Sequence, residues 1–275
     1  MSRRSPTAAH ARIASSAHGV PSPAPRATGS LGAPGFDPPS FDARSFDALS
    51  FDALSFPSPC RSRQPKTELP VKLYHSPASP YVRKVRICAI ARGIDSRIEL
   101  LACNPNTSPA DLLADNPLSK VPTLVTDDGV ALFDSPVICE YLDSLGDALP
   151  MFPAQGAARW RALKLQAMGD GILDACVPRR MEMQRPQDEG RAAVVARMRG
   201  AVERTLDALE ADPPHFLQPG GALDIGSITV ACALGYLDFR FPQQPWRETR
   251  PKLARWFEAF SADPAVAATV PAEAR

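Results

Sequence analysis

Ser79, Pro80 and Tyr81 stand in an order that carries chemistry. Serine is a favoured helix N-cap and proline fits the first helical position, so the tripeptide opens a helix whose first backbone N–H groups lack intrahelical partners. Those groups, together with about half a positive charge from the aligned peptide dipoles, favour an anion. A thiolate is such an anion, and a hydroxyl at that position can donate a hydrogen bond to its sulfur and lower its pKa. Ser79 would then activate a nucleophile without becoming one. On the local sequence alone the plainer reading, in which Ser79 only caps the helix, stands ahead of this one. Neither Ser79 nor Val82 can form a mixed disulfide, which argues against dithiol exchange here. A second pair, Ser135-Pro136, repeats the signature behind Asp134. It predicts another helix start, with Ser135 at the N-cap and an anion-favouring end, beside the alternative of a capped helix with a surface acid.

The elements that must position these residues follow from residue pattern. An apolar run over 71–75 reads as a buried strand, and the Ser79 helix carries Val82, Val85 and Ala89 on one face and stops at Gly93. Residues 97–101 read as a second strand, and Ser108-Pro109-Ala110-Asp111 as a capping-box start for a short helix. A third strand over 121–125, the turn Asp127-Asp128-Gly129 and a fourth strand over 130–133 make a hairpin signal. The Ser135 helix runs to about Leu145 and Gly146 ends it, giving the order βαβαββα. After a linker with two prolines, strand signals disappear and helices are expected over 156–184, 189–211, 224–238 and 248–262. The run from Ile225 to Leu237 is apolar nearly all round, as befits the central helix of a bundle, with Asp224 as N-cap and Ser227 at N3.

Composition excludes several functions. A formal net charge of +1 supplies no basic footprint for nucleic acid. The six cysteines, Cys60, Cys88, Cys103, Cys139, Cys176 and Cys232, are widely spaced without a C-x-x-C pair, so neither a zinc site nor a disulfide framework is suggested. They read as reduced thiols of a cytoplasmic protein. No apolar run suits a membrane span or a secretory signal. Residues 1–69 are rich in Pro, Ser, Ala and Arg, have no acidic residue before Asp37, and contain the repeat FDPPS-FDARS-FDALS-FDALS-F, whose period fits neither helix nor strand. A disordered extension is expected there. Its opening would suit an organelle transit peptide. The favoured alternative is translated flanking sequence ahead of a later start such as Val71. The expected domains are 70–146, a linker at 147–154, and an all-helical part over 155–275.

The four motifs Ser76-Pro77-Ala78-Ser79-Pro80-Tyr81-Val82-Arg83-Lys84-Val85, Lys120-Val121-Pro122, Phe133-Asp134-Ser135-Pro136 and Asp224-Ile225-Gly226-Ser227-Ile228, in this order, resemble the cytosolic glutathione S-transferase family, most nearly its serine-type bacterial members. The resemblance covers 71 to about 265. It implies an α/β thioredoxin-like domain followed by an all-α bundle, and an enzyme that uses glutathione as co-substrate, without a metal, against a small electrophile. Detoxification and a homodimer are implied with it. Ser79 would act on the glutathione thiol. Pro122 would be cis, freeing the Val121 backbone to pair with the cysteinyl part as an added strand does. Ser135 would take the γ-glutamyl carboxylate, Asp134 its ammonium, directly or across a dimer interface, and Lys120 the glycyl carboxylate. Tyr74, His75 and Ser76 are alternatives to Ser79, although Tyr74 reads better as a strand core residue and His75 as a polar edge residue. The electrophile pocket is expected between the two domains, lined from the first long helix, with Asp170, Asp174, Arg180, Glu182 and Arg185 as candidates. Salt bridges on a solvated face are the plainer reading of all five. Trp160, Trp246 and Trp256 are expected in packing roles. An isomerase or peroxidase using the same site, and a non-catalytic binding module, are the competing functions.

Overall fold

A computed structural model describes residues 71–145, 147–215 and 223–273, so the expected extension over 1–69 and the helix stop at Gly146 lie outside the described residues. Four strands, β1 (Val71–His75), β2 (Ile98–Ala102), β3 (Thr123–Val125) and β4 (Ala131–Leu132), form one sheet in the order β2-β1-β3-β4. β1 and β2 run parallel, and the other neighbours run antiparallel. The expected hairpin turn is present, with Gly129 at φ +85°, a conformation that favours glycine. Between the strands lie α1 (Pro80–Ala91) and α2 (Ala110–Asp115), and α3 (Ser135–Asp143) follows the hairpin. The helical part comprises α4 (Gly156–Met183), α5 (Glu189–Ala211), α6 (Ile225–Arg240), α7 (Pro251–Ser261) and a single turn, α8 (Pro264–Ala267).

Local signals explain several boundaries. Gly93, at φ +68°, donates to the Ile90 carbonyl, and Ile94 donates to that of Ala89, so α1 ends in a Schellman motif. The α2 start departs from expectation: Pro109 is the N-cap without a side-chain bond, and Ser108 is left-handed at φ 46°. The Ser108 hydroxyl bonds that of Ser119 at 3.0 Å instead of capping the helix. At α6 the Asp224 carboxylate accepts from the Ser227 N–H at 3.0 Å and from the Ser227 hydroxyl at 2.5 Å. Both bonds end on the Asp224 carboxylate, so the N-cap side of a capping box is made while the reciprocal bond from Ser227 to the Asp224 N–H is not.

Burial makes α6 the core helix of the described helical part, because every residue from Ile225 to Leu237 is buried. α4 lies against it at glycine contacts. A Cβ on Gly226 would stand 2.5 Å from the Ala162 carbonyl oxygen, and one on Gly169 would stand 2.8 Å from the Thr229 backbone. Gly226→Ala is therefore expected to cost about 2 kcal/mol by overpacking, measured as a lower urea midpoint. Gly171→Ala, with open space around its Cβ, should instead gain up to ~1 kcal/mol from helix propensity. α1 is buried on more than the one expected face, since Arg83, Lys84, Ile87 and Cys88 are also buried. It packs against α3, α6 and α8, so the strands and the helical part share one compact unit.

Candidate functional site

Sheet register brings the singled-out motifs to one edge. Tyr74 pairs with Thr123 across the antiparallel β1–β3 ladder, so the loop leaving His75 runs beside Val121 and Pro122 as they enter β3. Leu132 pairs with Leu124, so Phe133 and Asp134 leave β4 at that same edge. The N-termini of α1 and α3 therefore open together, and their dipoles add in one region.

Ser79 is the α1 N-cap in an extended conformation, half-buried, with Pro80 behind it. Its hydroxyl oxygen accepts from the Val82 N–H at 3.3 Å. A hydroxyl has one proton and two acceptor positions, so this bond leaves the proton available to another group. Capping and hydrogen-bond donation to a ligand are compatible at Ser79. Tyr81, two residues on, is committed elsewhere, since its hydroxyl donates to Asp174 Oδ1 of α4 at 2.6 Å. Burial first, then Asp174, holds its phenol well above the ordinary pKa.

The two alternatives at the end of β1 are also engaged or shifted. Tyr74 is half-buried rather than a core residue, and its hydroxyl donates to Asp115 Oδ2 of α2 at 2.8 Å. Burial and Asp115 push its pKa up to about 12, so it stays protonated and tied to α2. His75 is half-buried, and burial, reinforced by Arg86, moves its pKa down, which keeps the imidazole neutral near pH 7.

The Val121–Pro122 peptide bond is cis, as is Phe133–Asp134. Among the described residues no backbone hydrogen bond engages Val121. The residue that shapes its loop is Asn116, only 1 % exposed. Its Nδ2 donates to the Lys120 carbonyl at 3.1 Å and to the Thr123 hydroxyl at 2.8 Å, while its Oδ1 accepts from the Leu118 N–H at 2.9 Å. Sequence reading passed over Asn116, although Asn-Pro is a turn signal that could have found it. Lys120 itself is exposed. At α3 the cap is displaced by one residue from expectation: Asp134 is the N-cap without a side-chain bond, and Ser135 is the first helical residue, 2 % exposed. Proline is tolerated there because the early N–H groups of a helix have no intrahelical acceptor, so Pro136 does not force Ser135 out of the helix. The Asp134 carboxylate is exposed and not spent on capping.

Of the five candidates, four lie on α4 and Arg185 just past its end, and Asp170 and Asp174 face α1. Lys84, whose side chain is 0 % exposed, places Nζ 2.7 and 2.9 Å from the two oxygens of Asp170. Burial alone would lower the pKa of Lys84; the field of Cys139, then the field and hydrogen bond of Asp170, reverse the direction and keep it charged. Asp174 and Asp134 both exert a field on Asp170, which puts α4 beside the same edge. Glu182 and Arg185 pair with each other at 3.0 Å, as the solvated reading expected. Arg180 is half-buried and acts on Tyr236 and Glu273. Trp246 and Trp256 are buried, at 5 % and 0 % exposure, whereas Trp160 is 69 % exposed and packs into no core. Its place one turn into α4 turns it outward, which no local pattern foretold. One further contact is remote in sequence: the Ala272 N–H donates to the Pro77 carbonyl at 3.5 Å, and Glu273 pairs with Arg240. Among the described residues no cluster of His, Cys, Asp and Glu could hold a metal ion, and no helix is long and apolar enough to cross a membrane.

Family models match two parts of the chain: "Glutathione S-transferase, N-terminal domain" over residues 78–145 and "Glutathione S-transferase, C-terminal domain" over 192–259. The uncharacterized GST-like protein YibF of Escherichia coli is 35 % identical over 205 residues, covering 74 % of this chain and 100 % of its own length. Glutathione S-transferase 3 of Zea mays is 29 % identical over 214 residues, covering 74 % of this chain and 94 % of its own. A crystal structure of a glutathione transferase family member from Pseudomonas fluorescens Pf-5, with bound glutathione, superposes with a TM-score of 0.68 at 41 % identity. It covers 74 % of this chain and 99 % of that one.

Proposed function

We propose that this chain, which belongs to the glutathione S-transferase family, is a working transferase that binds glutathione at the edge shared by α1 and α3 and activates its thiol through Ser79. The observation that carries the reading is the hydroxyl of Ser79, which accepts the capping bond from Val82 and keeps its proton for a sulfur at the helix start. A relative with 41 % identity holds glutathione, which supports the same co-substrate here.

Each part of the tripeptide finds a complementary group. The cysteinyl amide pairs with the unengaged backbone of Val121 as an added strand would. The γ-glutamyl carboxylate meets Ser135 and the first N–H groups of α3, and the ammonium meets Asp134. Lys120, exposed at the rim, takes the glycyl carboxylate. The thiol is left at the α1 N-terminus, where the dipole and the Ser79 proton favour thiolate. The thiolate then attacks an electrophilic carbon. In substitution the S–C bond forms as the leaving group departs with its electron pair. In addition the carbanion formed takes a proton from water. We place the activity in the cytoplasm, in a homodimer engaged in detoxification.

Purified protein should be retained on immobilised glutathione and eluted by free glutathione, and it should accelerate conjugation of 1-chloro-2,4-dinitrobenzene above the uncatalysed rate. Retention without any conjugation product across a panel of aryl halides, epoxides and enones would leave a binding module. Product analysis separates transfer from the two other uses of this site: a transferase consumes glutathione into adducts, an isomerase returns it, and a peroxidase yields its disulfide.

A further inference from the structure

We infer that Asp174 sets the charge preference of the electrophile, and that the site favours neutral or cationic acceptors over those bearing a carboxylate. The inference rests on the proposed transferase reading and adds a specificity-determining residue to it. Tyr81 sits two residues after Ser79 on α1 and reaches across to α4, where its hydroxyl donates to Asp174 Oδ1 at 2.6 Å. This bond fixes the Asp174 side chain beside the helix start at which the sulfur is held. Since Asp174 is an exposed residue, its carboxylate meets whatever enters between α1 and α4.

Among the described residues no cation stands within ion-pair distance of Asp174. Of the cations on the facing helix, Lys84 is held by both oxygens of Asp170, Arg83 is buried with a guanidinium nitrogen 3.3 Å from the Val266 carbonyl, and Arg86 acts on His75. Arg180 lies six residues further along α4, about 9 Å by helical rise, and its field acts on Tyr236 and Glu273. Asp134, on the other side of the shared edge, is a further exposed acid. Asp174 and Asp134 therefore place negative charge on the wall facing the incoming electrophile. An anionic substituent on the acceptor must approach both the thiolate and Asp174, whereas a neutral acceptor meets neither repulsion and a cationic one gains from both.

Tyr81 does not offset this, because its proton points at Asp174 rather than into the site. The carboxylate accepts that proton's hydrogen bond through one oxygen, and a carboxylate has acceptor positions to spare on the other.

The test uses two acceptors with similar reacting rings, 1-chloro-2,4-dinitrobenzene and 4-chloro-3,5-dinitrobenzoate. In each the S–C bond forms, chloride leaves with the C–Cl electron pair, and the thiol proton passes to solvent. With kcat/KM divided by the uncatalysed rate for each acceptor, the wild-type chain should prefer the neutral ring. Asp174→Asn should cut that preference about 10-fold, and 0.5 M sodium chloride should narrow the gap between wild type and variant, as screening requires. Tyr81→Phe, which keeps the carboxylate but releases its anchor, should weaken the preference by less than Asp174→Asn does. Turnover of both acceptors with the same preference in Asp174→Asn overturns this inference and leaves the transferase reading standing. Failure of the wild-type chain to turn over either acceptor overturns the transferase reading, and this inference falls with it.

Discussion

Ser79→Ala is expected to retain glutathione while lowering kcat/KM for conjugation of a generic aryl halide at least ~10-fold, the scale of one lost hydrogen bond to a developing anion. The substitution removes the hydroxyl proton and also the oxygen that caps α1 through the Val82 N–H. The second loss should cost about 1 kcal/mol of stability, so a modest fall in Tm accompanies the kinetic effect. Binding is expected to survive because Val121, Asp134 and Ser135 lie on other segments of the shared edge. The pH profile separates the two losses. If Ser79 stabilises thiolate, the pKa of the bound thiol, read from kcat/KM against pH, rises in the variant. A cap-only role would lower Tm and leave that pKa where it was. Unchanged turnover would move the activating role to Ser76 or to backbone N–H groups, since Tyr74 is engaged by Asp115.

Lys84→Met is expected to carry the largest stability cost, about 3 kcal/mol, because it leaves Asp170 without its counter-ion in a largely buried setting. Methionine matches the lysine stem in length, so the loss is electrostatic rather than a cavity. Burial already raises the pKa of Asp170, and Lys84 opposes that shift. Without Lys84 the folded-state pKa climbs further above the unfolded value of about 3.9. The sign follows from proton binding: the folded variant holds the proton more tightly than the unfolded chain, so its stability falls as pH rises through the folded pKa. Urea titrations should accordingly find the variant less destabilised at pH 5 than at pH 8. Lys84→Met combined with Asp170→Leu should recover much of the loss, since a buried ion pair is replaceable by apolar packing. A single variant as stable as wild type at both pH values would show that the pair contributes little.

The fold was legible wherever a signal is local. Ser79-Pro80 opened α1, Gly93 closed it, Asp127-Asp128-Gly129 turned the hairpin, and the apolar run after Asp224 became the buried core helix. Each needs only a few consecutive residues to be read. Features that depend on distant partners were not legible. Lys84 looks like a surface lysine until Asp170 is brought beside it, and Arg83 is buried with a guanidinium nitrogen 3.3 Å from the Val266 carbonyl. The contact of Ala272 with Pro77 spans nearly the whole described chain. Asn116 is intermediate in kind: its partners are near in sequence, but only the bend of the loop makes one side chain reach all of them. At Asp134-Ser135 the motif was right and its register off by one, since two adjacent polar residues before a proline can each serve as N-cap.

The outward position of Trp160 makes the protein's own fluorescence informative. All three tryptophans lie in the helical part, Trp160 in α4, Trp246 between α6 and α7, and Trp256 in α7. Iodide should quench Trp160 selectively, and Trp160→Phe would leave two shielded emitters inside the bundle. Their red shift in urea then reports the helical part alone, whereas far-ultraviolet circular dichroism reports strands and helices together. Coincident midpoints would mean that the buried charges α1 sends toward α4 and α8 bind sheet and bundle into one cooperative transition.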